Sequence, residues 1–167
     1  MTWLYVLIML VLLCGSAFFS ASEMALSSAN RMRLASAAEE GNRAAGIACK
    51  VIDKYENALS AILIGNNLCN IGSDSIVTML GMALLGERYN GLVSVLITLF
   101  MTAVIIVFCE SAPKIAAKNN ANRFSMAVAP FVRFLMIVLS PVILLVTLLI
   151  RLLTLPFKGE SRGEHPE

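Results

Sequence analysis

Oxygen-bearing side chains recur at helical spacing inside stretches of this chain that are otherwise apolar. In the first stretch Ser16, Ser20, Glu23 and Ser27 stand at i, i+4, i+7 and i+11. At 100° per residue all four fall within about 60° of one another on a single helix face. In the second, Gly65-Asn66-Asn67-Leu68-Cys69-Asn70 is followed by Ser73 and Asp74, so that Asn66, Asn70 and Ser73 share a face with Asn67 and Asp74 at its edge. The third ends in Cys109-Glu110-Ser111-Ala112-Pro113-Lys114, where Pro113 has no N–H for the carbonyl of Cys109 four residues earlier. Thr98 and Thr102 continue a weaker hydroxyl face above it. Hydroxyls, amide oxygens, carbonyls and carboxylates are hard ligands, and neither histidine nor a thiolate pair accompanies them. The set suits Mg2+ or Ca2+, or Na+ in a parallel site, rather than zinc, copper or iron. Each residue alone also has a packing role open to it, since small and polar groups in membrane helices allow close approach and interhelical hydrogen bonds of roughly 0.6 to 2 kcal/mol. Three separate helices that each bring a polar stripe, with Glu23 and Glu110 among them, favour an ion site, because charge at membrane depth must face a partner or water.

The elements that would hold these groups follow from how little charge the chain has. Of its 167 residues 58% are hydrophobic and 14% charged, and the mean hydropathy is +0.80, outside the range of a water-soluble domain. Met1–Ser22 and Tyr89–Cys109 carry no charge and Asn57–Gly86 carries only Asp74, each long enough to cross a hydrocarbon core of roughly 30 Å. These predict spans at about 3–29, 58–85 and 90–111. The first is read as a mature helix, since Met1-Thr2-Trp3 lacks the basic residues of a signal peptide. The composition excludes a disordered chain, and a formal charge of +2 gives no reason to expect a nucleic-acid partner. Cys14, Cys49, Cys69 and Cys109 show no metal-type spacing and are read as reduced packing residues.

Orientation comes from the loops. Asn30–Glu56 holds Arg31, Arg33, Arg43, Lys50 and Lys54, and the segment after the third span holds Lys114, Lys118, Arg123 and Arg133, whereas the Gly86–Gly91 turn has only Arg88. The positive-inside rule puts the amino terminus and that turn outside and the carboxy terminus in the cytoplasm of a multi-pass protein of the cell membrane. A fourth apolar segment, Phe134–Ile150, has basic residues at both ends, and Pro130, Pro141 and Pro156 divide its surroundings. A bent pair of juxtamembrane helices over about 122–157 on the inner leaflet is favoured over a fourth crossing. Asn42 is a candidate cap for an amphipathic helix with Ile47, Val51, Ile52 and Tyr55 on one side and Arg43, Lys50 and Lys54 on the other. One domain, residues 1–158, and a disordered polar tail, 159–167 with the sole histidine His165, complete the expected organisation.

Four linked motifs give the chain a family likeness. Ser16-Ala17-Phe18-Phe19-Ser20-Ala21-Ser22-Glu23-Met24-Ala25-Leu26, Glu40-Gly41-Asn42, Leu63-Ile64-Gly65-Asn66-Asn67-Leu68-Cys69-Asn70 and Phe108-Cys109-Glu110-Ser111-Ala112-Pro113-Lys114 resemble, in order, the transmembrane domain of the CorC/CNNM (cyclin M) family across about Trp3–Pro156. The resemblance implies an all-α integral membrane fold, a homodimer of three-span protomers with a cytoplasmic-side belt of juxtamembrane helices. It also implies Mg2+ as the transported ion, bound through Ser16, Ser20, the Gly65 carbonyl, Asn66, Asn70 and Glu110, and exported against Na+ by alternating access about the Pro113 region. Glu23 would support the ligands from behind, and Asp74, outside the family motif, is a candidate Na+ or proton site. Cys109 stands where the family has glycine. Members usually continue into CBS nucleotide-binding modules, and this sequence stops at Glu167, which leaves open a truncated piece or a natural transmembrane-only member, with a CBS-type cytoplasmic domain as a candidate partner. A non-transporting Mg2+-sensing or anchoring subunit is the alternative. An enzyme is not expected, because no nucleophile has a base beside it at membrane depth.

Overall fold

The computed structural model describes residues 2–86 and 90–154, and among these residues it is entirely helical. Helix α1 (Thr2–Ser28) leads through a corner at Ala29–Asn30 into two short helices, α2 (Arg31–Glu39) and α3 (Arg43–Ile52). Next come α4 (Tyr55–Leu85) and α5 (Gly91–Val104), which runs into a π-helical segment (Ile105–Ser111) and then α6 (Ala112–Asn119). Helices α7 (Ala121–Val138) and α8 (Ser140–Thr154) end the described chain. Asparagine begins three of these helices. Asn30 accepts from the N–H of Arg33, Asn42 from those of Ala44 and Ala45, and Asn90 from that of Val93, satisfying donors that a helix start leaves without partners. Gly41, at φ +96°, makes the left-handed turn between α2 and α3 that a side chain would resist.

The expected spans agree with α1, with α4, which starts three residues earlier than expected, and with α5 plus the π segment. The amphipathic helix after Asn42 is α3, with Ala45, Ala48 and Val51 buried and Arg43 and Lys50 exposed. Helix α2 is additional to the expectation, anchored by one buried side chain, Leu34.

Two features differ from the sequence reading. Pro130 lies within α7 without ending it. Its ring is exposed, off the buried stripe of Ala121, Ser125, Val128, Ala129 and Val132, so packing on that stripe offsets the one lost ladder bond. The break between the two carboxy-terminal helices falls at Leu139, ahead of Pro141, which occupies the first turn of α8, where proline is tolerated. Secondly, four stretches among the described residues are long and apolar enough to cross a membrane, not three: Thr2–Ser28, Tyr55–Leu85, Gly91–Asn119 and Ala121–Val138. The fourth is α7 rather than Phe134–Ile150. The tail at 159–167, Pro156 and Arg88 lie outside the described residues.

The packed interior sits at one end of the molecule. Leu26, Leu34, Ala45, Ala48, Val51, Ala58, Ile62, Val128, Ala129 and Val132 form one cluster where α2, α3 and α7 close around the end of α1 and the start of α4. Asn122 ties the α1–α2 corner to α7 by accepting from the N–H of Asn30 at 2.7 Å. The other end is open. None of α5 is buried, α1 is buried only from Ser16 onward, and Trp3, Leu7, Val11, Leu92, Leu96, Leu99 and Phe100 all face outward, as lipid-facing side chains do.

Candidate cation site

Close approach of α1 and α4 creates the site, and glycines permit that approach. A Cβ on Gly65 would lie 2.5 Å from Cζ of Phe19, one on Gly15 would lie 2.9 Å from Sγ of Cys69, and one on Gly72 would lie 3.1 Å from Cδ1 of Leu12. Three glycines along one contact let side chains of the facing helix settle onto bare backbone, the close approach that small residues allow in membrane helix pairs.

Into that seam α1 points Ser16 and Ser20, both fully buried. The Ser16 hydroxyl lies 2.9 Å from Oδ1 of Asn66 and 2.7 Å from Oδ1 of Asn70. One hydroxyl has one proton and can satisfy only one of those oxygens at a time. The second contact sets lone pair against lone pair unless an amide turns its NH2 inward. One turn further along α1, Ser20 Oγ is buried with no hydrogen-bond partner, a condition that costs about 1–3 kcal/mol. Three oxygens crowded together with a fourth left unsatisfied one turn away is a surplus of acceptors that a hard cation relieves.

Glu110 belongs to the π segment, which packs against α1. It is half-buried, and among the described residues it makes no hydrogen bond or ion pair. Across Ile105–Ser111 the backbone bonds span one residue more than in an α-helix, and the last of them runs from the N–H of Ala112 to the carbonyl of Val107. Pro113, next in line, has no N–H to continue the ladder, so the widened turn ends where a carbonyl is left free. The sequence reading located this interruption at Cys109, which is buried here.

Glu23 has a specific partner: its Oε2 lies 3.0 Å from Nζ of Lys114 on α6. Sequence reasoning took Lys114 only as a marker of the cytoplasmic side. The available signal was Glu23 itself, a carboxylate at the membrane edge that needs a counter-charge. Several other candidates lie elsewhere. Ser27 is exposed and donates to the Met24 carbonyl. Ser73 is buried but donates to the Cys69 carbonyl. Asn67 and Asp74 face outward from α4, while Thr102 donates to the carbonyl of Thr98 on an exposed face. The structure therefore brings Ser16, Asn66 and Asn70 together, places Ser20 and Gly65 in the same helix seam, and leaves Asp74 outside it. Phe19, which covers Gly65, was missed because a phenylalanine among apolar residues carries no sign of its contact. Among the described residues no group of three or more His, Cys, Asp or Glu side chains is gathered to hold a metal. A cation here would be held by neutral oxygens with one or two carboxylates.

A family model described as the cyclin M transmembrane N-terminal domain matches residues 7–167. Similar proteins include a UPF0053 protein of Haemophilus influenzae, 35% identical over 142 residues that make up 85% of this chain and 33% of that protein. The UPF0053 inner membrane protein YfjD of Escherichia coli is 33% identical over 138 residues, 83% of this chain and 31% of the relative. A chloroplastic DUF21 domain-containing protein of Arabidopsis thaliana is 32% identical over 143 residues, 86% of this chain and 21% of its own length. The chain thus spans a third or less of the length of these curated relatives.

Proposed function

The chain belongs to the cyclin M transmembrane-domain family, and from that premise we propose that it is the membrane module of a divalent-cation transporter with Mg2+ as its cargo. In this reading Ser16, Ser20, Asn66, Asn70, the Gly65 carbonyl and Glu110 supply the oxygens. The observation that carries it is the acceptor surplus in the α1–α4 seam, where Ser16 meets two amide oxygens at 2.9 and 2.7 Å and Ser20 Oγ is buried without a partner. Mg2+ gives up its water reluctantly, so direct protein ligands must already be in place when it arrives. A seam closed by Gly15, Gly65 and Gly72 supplies that rigidity.

The proposed mode is export by alternating access, driven by an inward Na+ gradient, in a homodimer of three-span protomers with the amino terminus outside and the carboxy terminus in the cytoplasm. Glu110 stands on the interrupted helix, so a shift about Pro113 would move its carboxylate relative to the fixed oxygens of α1 and α4. Glu23, bound to Lys114, couples α1 to the same moving segment. Asp74, facing away from the seam, is the candidate for Na+. The role is transport rather than catalysis.

Calorimetric titration with Mg2+ tests the ligand set: Ser20→Ala and Glu110→Ala should each abolish the binding heat while the protein remains folded. Unchanged heats in both variants would refute the assignment. Proteoliposomes loaded with a Mg2+ indicator then test transport. Binding without flux under any Na+ gradient would identify a sensing or anchoring subunit instead.

A further inference from the structure

Away from the α1–α4 seam, a cavity of about 570 Å³ opens where the end of α3 and the start of α4 face the α7–α8 corner. Its charge is one-sided. Lys50 and Lys54 line it from the α3–α4 corner and Arg133 from α7, all three are exposed, and among the described residues none of them is in an ion pair. One carboxylate, Asp53, shares the lining, but its Oδ1 already accepts from Nε of Arg31 at 2.7 Å. That hydrogen bond holds its carboxyl below the usual carboxylate range, so Asp53 stays ionised and its charge is taken up by Arg31, which is not part of the lining.

The rest of the lining is mostly hydrocarbon, from Val51, Met136, Ile137 and Ile143, with Asn57 and Ser140 as its uncharged polar members. Ile137 is largely exposed, and Phe134 and Val138 extend the same apolar surface outward. Lys54 immediately precedes α4, which places the cavity at the depth where the apolar run of the second span begins. Three unneutralised cations beside a greasy wall at that depth match a molecule with an anionic head and a hydrocarbon tail. We propose that this cavity is a headgroup site for an anionic phospholipid, its phosphate among Lys50, Lys54 and Arg133 and its acyl chain along Met136, Ile137 and Ile143. Arg133 can give a phosphate two parallel N–H bonds while the lysines act as point charges. An inorganic phosphate would use only the charged half of the cavity.

The test uses the full chain in detergent, titrated in parallel with short-chain phosphatidylglycerol, phosphatidylcholine of the same chain length, and inorganic phosphate, with bound lipid counted by native mass spectrometry. Phosphatidylglycerol is expected to be retained over phosphatidylcholine, and raised salt should weaken it. Lys50→Gln, Lys54→Gln and Arg133→Gln should each lower its affinity about fivefold, and the three together on the order of a hundredfold, whereas Arg123→Gln, an exposed charge outside the cavity, should change it by less than about twofold. Because all three cavity residues are exposed, circular dichroism and elution volume should match the wild type, and the single variants decide the matter if the triple variant fails to fold. Equal affinity for the two lipids, wild-type binding by the cavity variants, or an Arg123→Gln loss as large as theirs would overturn the proposal. So would displacement of phosphatidylglycerol by inorganic phosphate at equal concentration, which would make the site one for free phosphate.

Discussion

A buried hydroxyl without a hydrogen-bond partner burdens the fold by about 1–3 kcal/mol, so Ser20 separates packing from binding. If Ser20 Oγ is there for a cation, Ser20→Ala should leave the melting temperature in Mg2+-free buffer unchanged or raised while Mg2+ affinity falls by about tenfold or more. A lower melting temperature with unchanged titration would make Ser20 a packing residue. Ser16 behaves differently, because its hydroxyl bridges Asn66 and Asn70. Asn70→Ala should therefore cost about 1 kcal/mol in chemical denaturation as well as weaken Mg2+ binding. The 3.6-residue period made the polar face of Ser16 on one helix and that of Asn66 and Asn70 on another legible, whereas their meeting across the two helices was implied only by the family resemblance. The Glu23–Lys114 pair was not. It depends on where α6 points after the π segment, and nothing in Ile105-Ile106-Val107-Phe108 marks a widened turn.

Between elements, the α1–α4 seam is the contact least tolerant of added volume. Gly65→Ala would put a methyl 2.5 Å from the Phe19 ring, and overpacking of this kind costs typically about 1–3 kcal/mol. Measured by denaturation, the loss should shrink when Phe19→Leu is combined with it, and equal losses in single and double variants would mean that the ring is not the obstacle. The α2–α3 junction depends on pH through Arg31–Asp53. The Asp53 carboxyl is held below its ordinary value, so the stability it contributes is present above an unfolded pKa of about 3.9 and lost as pH falls through the lower folded value. The protection of α2 amides, taken relative to their intrinsic exchange rate at each pH, should therefore fall below about pH 4 in the wild type but show no such step in Arg31→Ala. The effect is small because both groups are exposed. The sequence left α2 unread because it buries only Leu34, too little to set up a period. Pro130 misled for the opposite reason, since the stripe that carries α7 past it depends on partners in α1 and α3.

Across the molecule, burial is gathered at one end while the other presents apolar side chains to its surroundings, the distribution of a protein whose outer half is solvated by lipid. Composition and the placement of charge made the membrane setting legible, but not the gathering of burial at one end, nor whether α7, long and apolar enough to cross, does so. Single cysteines in a background free of the native four can decide. Labels at Ser36 and Gly86 should react from opposite sides, and labels at Asn120 and Ser140 both from the side of Ser36 if there are three crossings. Reaction of Ser140 from the side of Gly86 would make α7 a fourth span. The π segment also has a consequence for how the protein tolerates change in length. Each π turn holds one residue more than the α-helix around it, so Ile105–Ser111 sets the two halves of this long helix out of phase by about 100°. Deleting Val107 would remove one residue and, with the α period restored, the same offset of about 100°, so Lys114 should still face Glu23. The widened segment is therefore the place in this long helix where a change of one residue in length is absorbed without turning Lys114 from its partner.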